Sequence, residues 1–151
     1  MNMRRFERVA DWAVKYNNNN VPMPVRSTSK AAGYDFFSPV QITIAPHSHE
    51  CVFTNMKFVC EDDEFLMLCN RSSFGKRGMS LANGVGIIDA DYYGNPTNDG
   101  NLGFLLKNNT DQPITIEQNE KIGQGIFMKY LIADDDNATG TRKGGFGSTG
   151  K

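Results

Sequence analysis

A chain of 151 residues has the length of one domain with room for a sizeable core. Its 16 Lys and Arg balance 17 Asp and Glu to a net charge of −1, so nothing marks an electrostatic nucleic-acid binder. No apolar run approaches the ~20 residues of a membrane span, and the basic start "MRRFER" leads into no apolar stretch. Neither a membrane anchor nor a signal peptide is expected, and the expected location is cytoplasmic.

In chain order, "FERVADWAVKY" (6–16) places Phe6, Val9, Ala10, Ala13 and Val14 near helical spacing. "NNNN" then breaks any helix and "VPMP" enforces an extended segment. Residues 1–20 therefore read as an N-terminal appendage, a short helix or an irregular cover. From Val21 to about Asp134 the pattern is β. "QITIAP" alternates, "CVFTNMKFVC" is rich in β-branched and aromatic residues, and the polar turn "EDDE" opens "FLMLCN". "GVGIID", "LGFLLK", "ITIE" and "IGQGIFMKYLI" follow, each bounded by Gly, Asn, Asp or Pro. Many short strands without helical intervals predict an all-β sandwich, jelly roll or barrel over residues 21–134. Residues 135–151 carry almost no apolar group except Phe146 and are expected to form a flexible C-terminal arm.

Cys51, Cys60 and Cys69 are odd in number, regularly spaced and without a C-x-x-C, which fits reduced, packed thiols. His47 and His49 in "PHSHE" suggest an H-x-H metal pair, but no third ligand stands near, so a solvated turn is expected.

Three stretches carry chemistry. "RSSFGKRG" (71–78) offers a guanidinium, hydroxyls and close backbone amides, the means of holding phosphate, with Arg71 at the end of an apolar strand. "GGFGSTG" (144–150) offers a second such set. "GVGIIDADYYGN" (84–95) puts Asp89 and Asp91 two positions apart in an apolar run, where acids stand only if paired or used.

With "AAGYDFF" (31–37) and "KIGQGIF" (121–127), these stretches form five motifs in one order. The chain so resembles the trimeric dUTP pyrophosphatase (dUTPase) family over residues 21–151. The resemblance implies a distorted jelly-roll subunit in a homotrimer, with sites at subunit interfaces and the C-terminal arm crossing to a neighbour. The implied reaction is hydrolysis of dUTP to dUMP and pyrophosphate by water attack at the α-phosphorus. That reaction keeps uracil out of DNA and supplies dUMP for dTMP synthesis. Mg²⁺ is the implied cofactor, held by Asp35 through water.

Asp89 matches the general base, and Tyr92 matches the ring beneath the deoxyribose that leaves no room for a 2′-hydroxyl. Asp91 is assigned to shaping the hairpin. Asn83, Gly86 and Gly103 align with positions that read uracil, with glycine suited to close backbone approach. Arg71, Ser72, Ser73 and Gln124 match phosphate contacts. Arg142, Gly147, Ser148 and Thr149 match the γ-phosphate clamp, and Phe146 the lid over uracil.

The sequence departs from the family pattern in four places. Lys121 replaces a usual Arg beside Gly123 and Gly125, which flank Gln124. "NPTNDG" (95–100) lengthens the turn after Tyr93 by about six residues, Arg142 lies one residue closer to Phe146, and "EDDE" replaces a Pro-Gly turn. With that spacing either the loop takes a different path or Lys143 shares the γ-phosphate role. A dCTP deaminase of the same fold would need a glutamate base and lacks these motifs. A nucleotide-gated regulatory protein on this fold is the second reading, with residues 1–20 and 95–100 as the surface for a protein partner.

Overall fold

The computed structural model describes residues 3–144. Its strands are β1 (Arg5–Arg8), β2 (Tyr34–Phe37), β3 (Ile42–Ile44), β4 (His49–Phe53), β5 (Met56–Val59) and β6 (Glu64–Cys69). After the one-turn helix α1 (Ser72–Lys76) come β7 (Met79–Leu81), β8 (Gly86–Asp89), β9 (Gly103–Asn108), β10 (Ile114–Ile116) and β11 (Lys121–Lys129). The expected β-rich architecture is present. A four-stranded sheet runs β2-β11-β6-β8 and a three-stranded sheet runs β4-β9-β7, while β1 pairs with β5 and β10 with β3.

Alternation drives this arrangement. Along β6 and β9 every second side chain is buried, so Leu66, Leu68, Phe104 and Leu106 point inward. The two larger sheets meet where the rings of Phe36 and Phe104 stand 5.5 Å apart. Gly123 makes that contact possible, because a Cβ there would lie 2.2 Å from the Phe104 ring. Gly125 likewise leaves room for Phe36 and Leu66. The two glycines beside Gln124 thus answer to the core behind the strand.

The N-terminal segment departs from its helical spacing. Arg5–Arg8 is a strand paired with β5, followed by a short 3₁₀ turn at Asp11–Ala13. Phe6 supplies the reason: its ring lies 5.2–5.3 Å from the rings of Tyr34, Phe36 and Phe127. That aromatic cluster outweighs a weak helical preference. Glu64, which is buried, accepts both Arg4 Nε at 2.8 Å and the Glu61 amide at 3.0 Å. The Arg4 hydrogen bond is the main cause holding the Glu64 carboxyl below its ordinary range, against burial. Among the described residues no helix is long and apolar enough to cross a membrane.

Candidate active site

Three groups of functional elements form at different places on the two larger sheets. The first depends on strand register. On β11, Gln124 stands opposite Asp35 of β2 on one side and Cys69 of β6 on the other. Its Nε2 donates to the Asn70 carbonyl at 3.1 Å. Gly33 admits it, since a Cβ there would sit 2.1 Å from Gln124 Oε1.

Asp35, with a side chain only 10% exposed, faces two cations: Arg71 Nε at 3.2 Å and Lys121 Nζ at 3.3 Å. Arg71 stands at the N-cap of α1, and its Nη1 donates to Ser73 Oγ at 3.3 Å. Ser72 and Ser73 are exposed at the opening of that helix, where backbone amides lack intrahelical partners. Asp35, Arg71, Ser72, Ser73 and Gln124 therefore gather as expected, and Lys121 joins them. Its position opposite Phe37 on the β2–β11 ladder, beside a bulge, turns its amine to Asp35.

The second element is a hairpin that splits. β7 pairs with the far end of β9, and the Ala82 amide still donates to the Leu105 carbonyl at 2.8 Å. Beyond that point β8 leaves to pair with β6, while β9 continues along β4. The backbone edges at Gly86 and Gly103 that face away from β6 and β4 pair with no strand among the described residues. Such edges present donors and acceptors to a planar, hydrogen-bonding ligand. The two glycines also have a packing cause. A Cβ on Gly86 would lie 3.1 Å from Leu68, and one on Gly103 would lie 2.8 Å from Cys51 Sγ. Asn83 is exposed in the turn between β7 and β8.

The third element is acidic. β8 stops at Asp89, and Ala90–Tyr92 forms a 3₁₀ turn, so Asp91 does not extend the strand. Neither acid is buried: their side chains are 56% and 59% exposed. They are paired all the same. Arg142 Nη2 donates to Asp89 Oδ2 at 2.5 Å and its Nε to Asp91 Oδ1 at 2.7 Å. Asp91 thus holds the arm's arginine, a partner that the hairpin-shaping role leaves out. The guanidinium lies 5.8 Å from the centre of the Tyr92 ring and is itself 10% exposed. Beside Asp89 opens a cleft of about 940 Å³ lined by Phe65, Ile87, Asp91 and Tyr130.

Tyr92 is 7% exposed, and its burial raises the phenol above its ordinary value. The hydroxyl donates to the Asn101 carbonyl at 3.1 Å and accepts from Asn98 Nδ2 at 2.8 Å. Asn98 belongs to the lengthened turn and carried no sequence signal beyond that length. Asp99 of the same turn accepts from the Ala10 amide and from Lys57 Nζ. The N-terminal segment and this turn are therefore one unit.

The cysteines are free and half-buried, and burial pushes Cys51 and Cys60 up to about 11, which leaves them unreactive thiols. His47 and His49 are exposed, His47 pairing with Asp111 at 2.6 Å, and no three candidate metal ligands gather among the described residues. Lys143 is exposed. Phe146, Gly147, Ser148 and Thr149 lie outside the described residues.

A family model for dUTPase matches residues 19–150. The deoxyuridine 5′-triphosphate nucleotidohydrolase of Lactococcus lactis subsp. lactis (strain IL1403) is 40% identical over 153 residues, covering 99% of each chain. That of Actinobacillus pleuropneumoniae serotype 5b (strain L20) is 31% identical over 142 residues, covering 88% of this chain and 90% of its own. Among solved structures, the dUTPase from Streptococcus mutans superimposes with a TM-score of 0.77 at 38% identity. It covers 85% of this chain and 98% of that one. A mutant dUTPase from phage phi11 of S. aureus, with a structural Mg(II) ion, shares the fold at 19% identity. Its TM-score is 0.72, over 91% of this chain and 97% of that one.

Proposed function

The chain belongs to the dUTPase family, and its reaction is the hydrolysis of dUTP to dUMP and pyrophosphate. We propose that the Asp35 cluster and the Asp89 cluster are two halves of one site, joined between copies of the chain in a homotrimer. One observation carries this. Asp89 stands opposite Phe65, whereas Gln124 stands opposite Cys69, four residues along β6. Asp35 is also three strands from β8. At ~3.3 Å per residue and ~4.8 Å per strand, the backbones of Asp35 and Asp89 are roughly 20 Å apart. A base must lie within hydrogen-bond reach of the water it deprotonates, directly beside the phosphorus. Asp89 of one copy therefore serves the phosphates held by another. Exposed Val85, Ile87, Met128, Leu131 and Ile132 offer apolar side chains to such a contact.

Uracil enters the split between β8 and β9, where backbone groups at Gly86 and Gly103 and the Asn83 side chain satisfy its donors and acceptors. Cytosine would leave those groups unpaired. The deoxyribose lies on Tyr92. Arg71, Ser72, Ser73 and Gln124 hold the phosphates, with Ser72 near the α–β bridging oxygen and the departing pyrophosphate. Asp89 takes the proton of the water that attacks the α-phosphorus, the P–O bond to the β-phosphate breaks, and the electron pair leaves on pyrophosphate. The arm crosses to close the site: Arg142, with Lys143 sharing the charge, exchanges carboxylates for the γ-phosphate. Phe146 lies over the base, and Gly147, Ser148 and Thr149 hold the phosphates.

Mg²⁺ fits this donor set as an ion arriving on the triphosphate. A lone carboxylate among phosphates and water is what an ion reluctant to dehydrate accepts. Asp35 would hold it through its water shell, and when bound it neutralises phosphate charge. The deciding experiment is pyrophosphate release from dUTP, dCTP, dTTP and UTP side by side. dUTP should be cleaved far ahead of the rest. Ammonia release from dCTP, or binding of dUTP without cleavage, would overturn the reading.

A further inference from the structure

This inference rests on the reading that Tyr92 excludes ribonucleotides. We propose that Asn98, in the lengthened turn at 95–100, is the positioning residue that fixes the Tyr92 ring and so sets discrimination between deoxyribose and ribose. The phenol oxygen has both its hydrogen-bonding capacities engaged, accepting from Asn98 Nδ2 and donating to the Asn101 carbonyl. With one bond the ring can pivot about the hydroxyl; with two on different sides its position along the long axis is fixed. Exclusion of a single extra oxygen demands that fixity, because a wall that yields by a few tenths of an ångström admits it.

The turn is built to deliver the amide. Asn98 Oδ1 accepts from Asn95 Nδ2 at 2.8 Å and from the Gly100 amide at 3.0 Å, which orients Nδ2 toward the phenol. Asn95 is 1% exposed, and its carbonyl accepts the amides of Asn98 and Asp99. Gly100 has φ +74°, and a Cβ there would lie 2.5 Å from the Tyr92 carbonyl, so the turn returns tightly over the tyrosine's own backbone. Asp99 ties the outer side to Lys57 Nζ at 2.7 Å and to the Ala10 amide at 2.8 Å. Asp99 holds the turn in place, and Asn98 donates to the phenol.

That division of labour supplies the test, the ratio of kcat/KM for dUTP over UTP. Asn98→Ala should lower the ratio about fivefold, the factor one net hydrogen bond supports, mainly through better use of UTP. Tyr92→Phe, which deletes both of the phenol's bonds, should lower it at least as far, and the double variant should go no further than Tyr92→Phe. Asp99→Asn should lower the melting temperature and leave the ratio unchanged. An unchanged ratio in Asn98→Ala or in Tyr92→Phe would overturn the proposal. So would an equal fall in Asp99→Asn, which would show turn stability to be all that matters. Tyr92→Ala separates the two readings: if it leaves the ratio intact, Tyr92 does not read the sugar at all. If Asn98→Ala fails to fold, an unchanged ratio in Tyr92→Phe still overturns the proposal.

Discussion

The two ends of the four-stranded sheet hold their charged groups in opposite ways. At the Asp35 end, the acid is nearly enclosed and its cations, Arg71 and Lys121, come from the end of one strand and the start of another. Register and the missing side chain of Gly33 fix Gln124 beside them. At the Asp89 end both acids are more than half exposed, and their cation, Arg142, arrives on residues outside any strand or helix. In the proposed reading the first end is a phosphate cradle built in advance. The second leaves the base on a strand tip, where a neighbouring copy would reach it and a removable arginine covers it.

Substitutions can break that contrast from either end. The largest effect is expected from Asp89→Asn, which keeps shape but cannot take a proton. Turnover should fall about 10²- to 10⁴-fold with dUTP still bound, as followed by pyrophosphate release beside a binding titration. Activity within a few-fold of the parent would remove Asp89 as the base. Arg71→Ala should act at the other end, lowering kcat/KM by roughly 10- to 100-fold through loss of a charge-assisted contact. Tyr92→Ala should cost dUTP less than it relaxes selectivity, with the dUTP-to-UTP ratio falling by about tenfold or more.

A smaller effect concerns the N-terminal segment, which three carboxylates hold. Glu64 is held low chiefly by Arg4, and Glu7 chiefly by the Tyr93 hydroxyl. Asp99 is held low against its burial by Lys57 and the Ala10 amide. Because their folded-state values are lowered, they contribute fully above the ordinary carboxylate range. The contribution is lost as pH falls through about 4 and below. Fluorescence anisotropy of Trp12, the chain's single tryptophan, should therefore drop in acid before the core melts. A drop coincident with global unfolding would show the segment to be no separate unit.

Much of this was legible in the sequence. Apolar runs bounded by turn residues marked β6 and β9, and Arg71 was expected where an apolar strand ends, which is where it stands. Local pattern could not tell which strands pair. That β8 abandons β9 for β6, opening the split at Gly86 and Gly103, depends on sheet partners distant in the chain. Phe6 misled for the same reason, since its helical spacing is local and its aromatic partners are not. The glycines at 123 and 125 looked like departures at the site, yet they answer to Phe104 and Phe36 behind it. Asn98 was invisible because only the folded turn aims its amide at a phenol six residues away.

The central claim is that neither end works alone within one chain. It is tested most directly by mixing two impaired variants, Asp89→Asn and Arg71→Ala, refolding them together and isolating mixed trimers. If each site joins the Asp35 end of one copy to the Asp89 end of another, some sites regain both intact halves. Each mixed trimer should then carry one working site in three, about a third of the parent turnover. Verified mixed trimers as inactive as their parents would contradict the account, because they would place both ends of each site in a single chain.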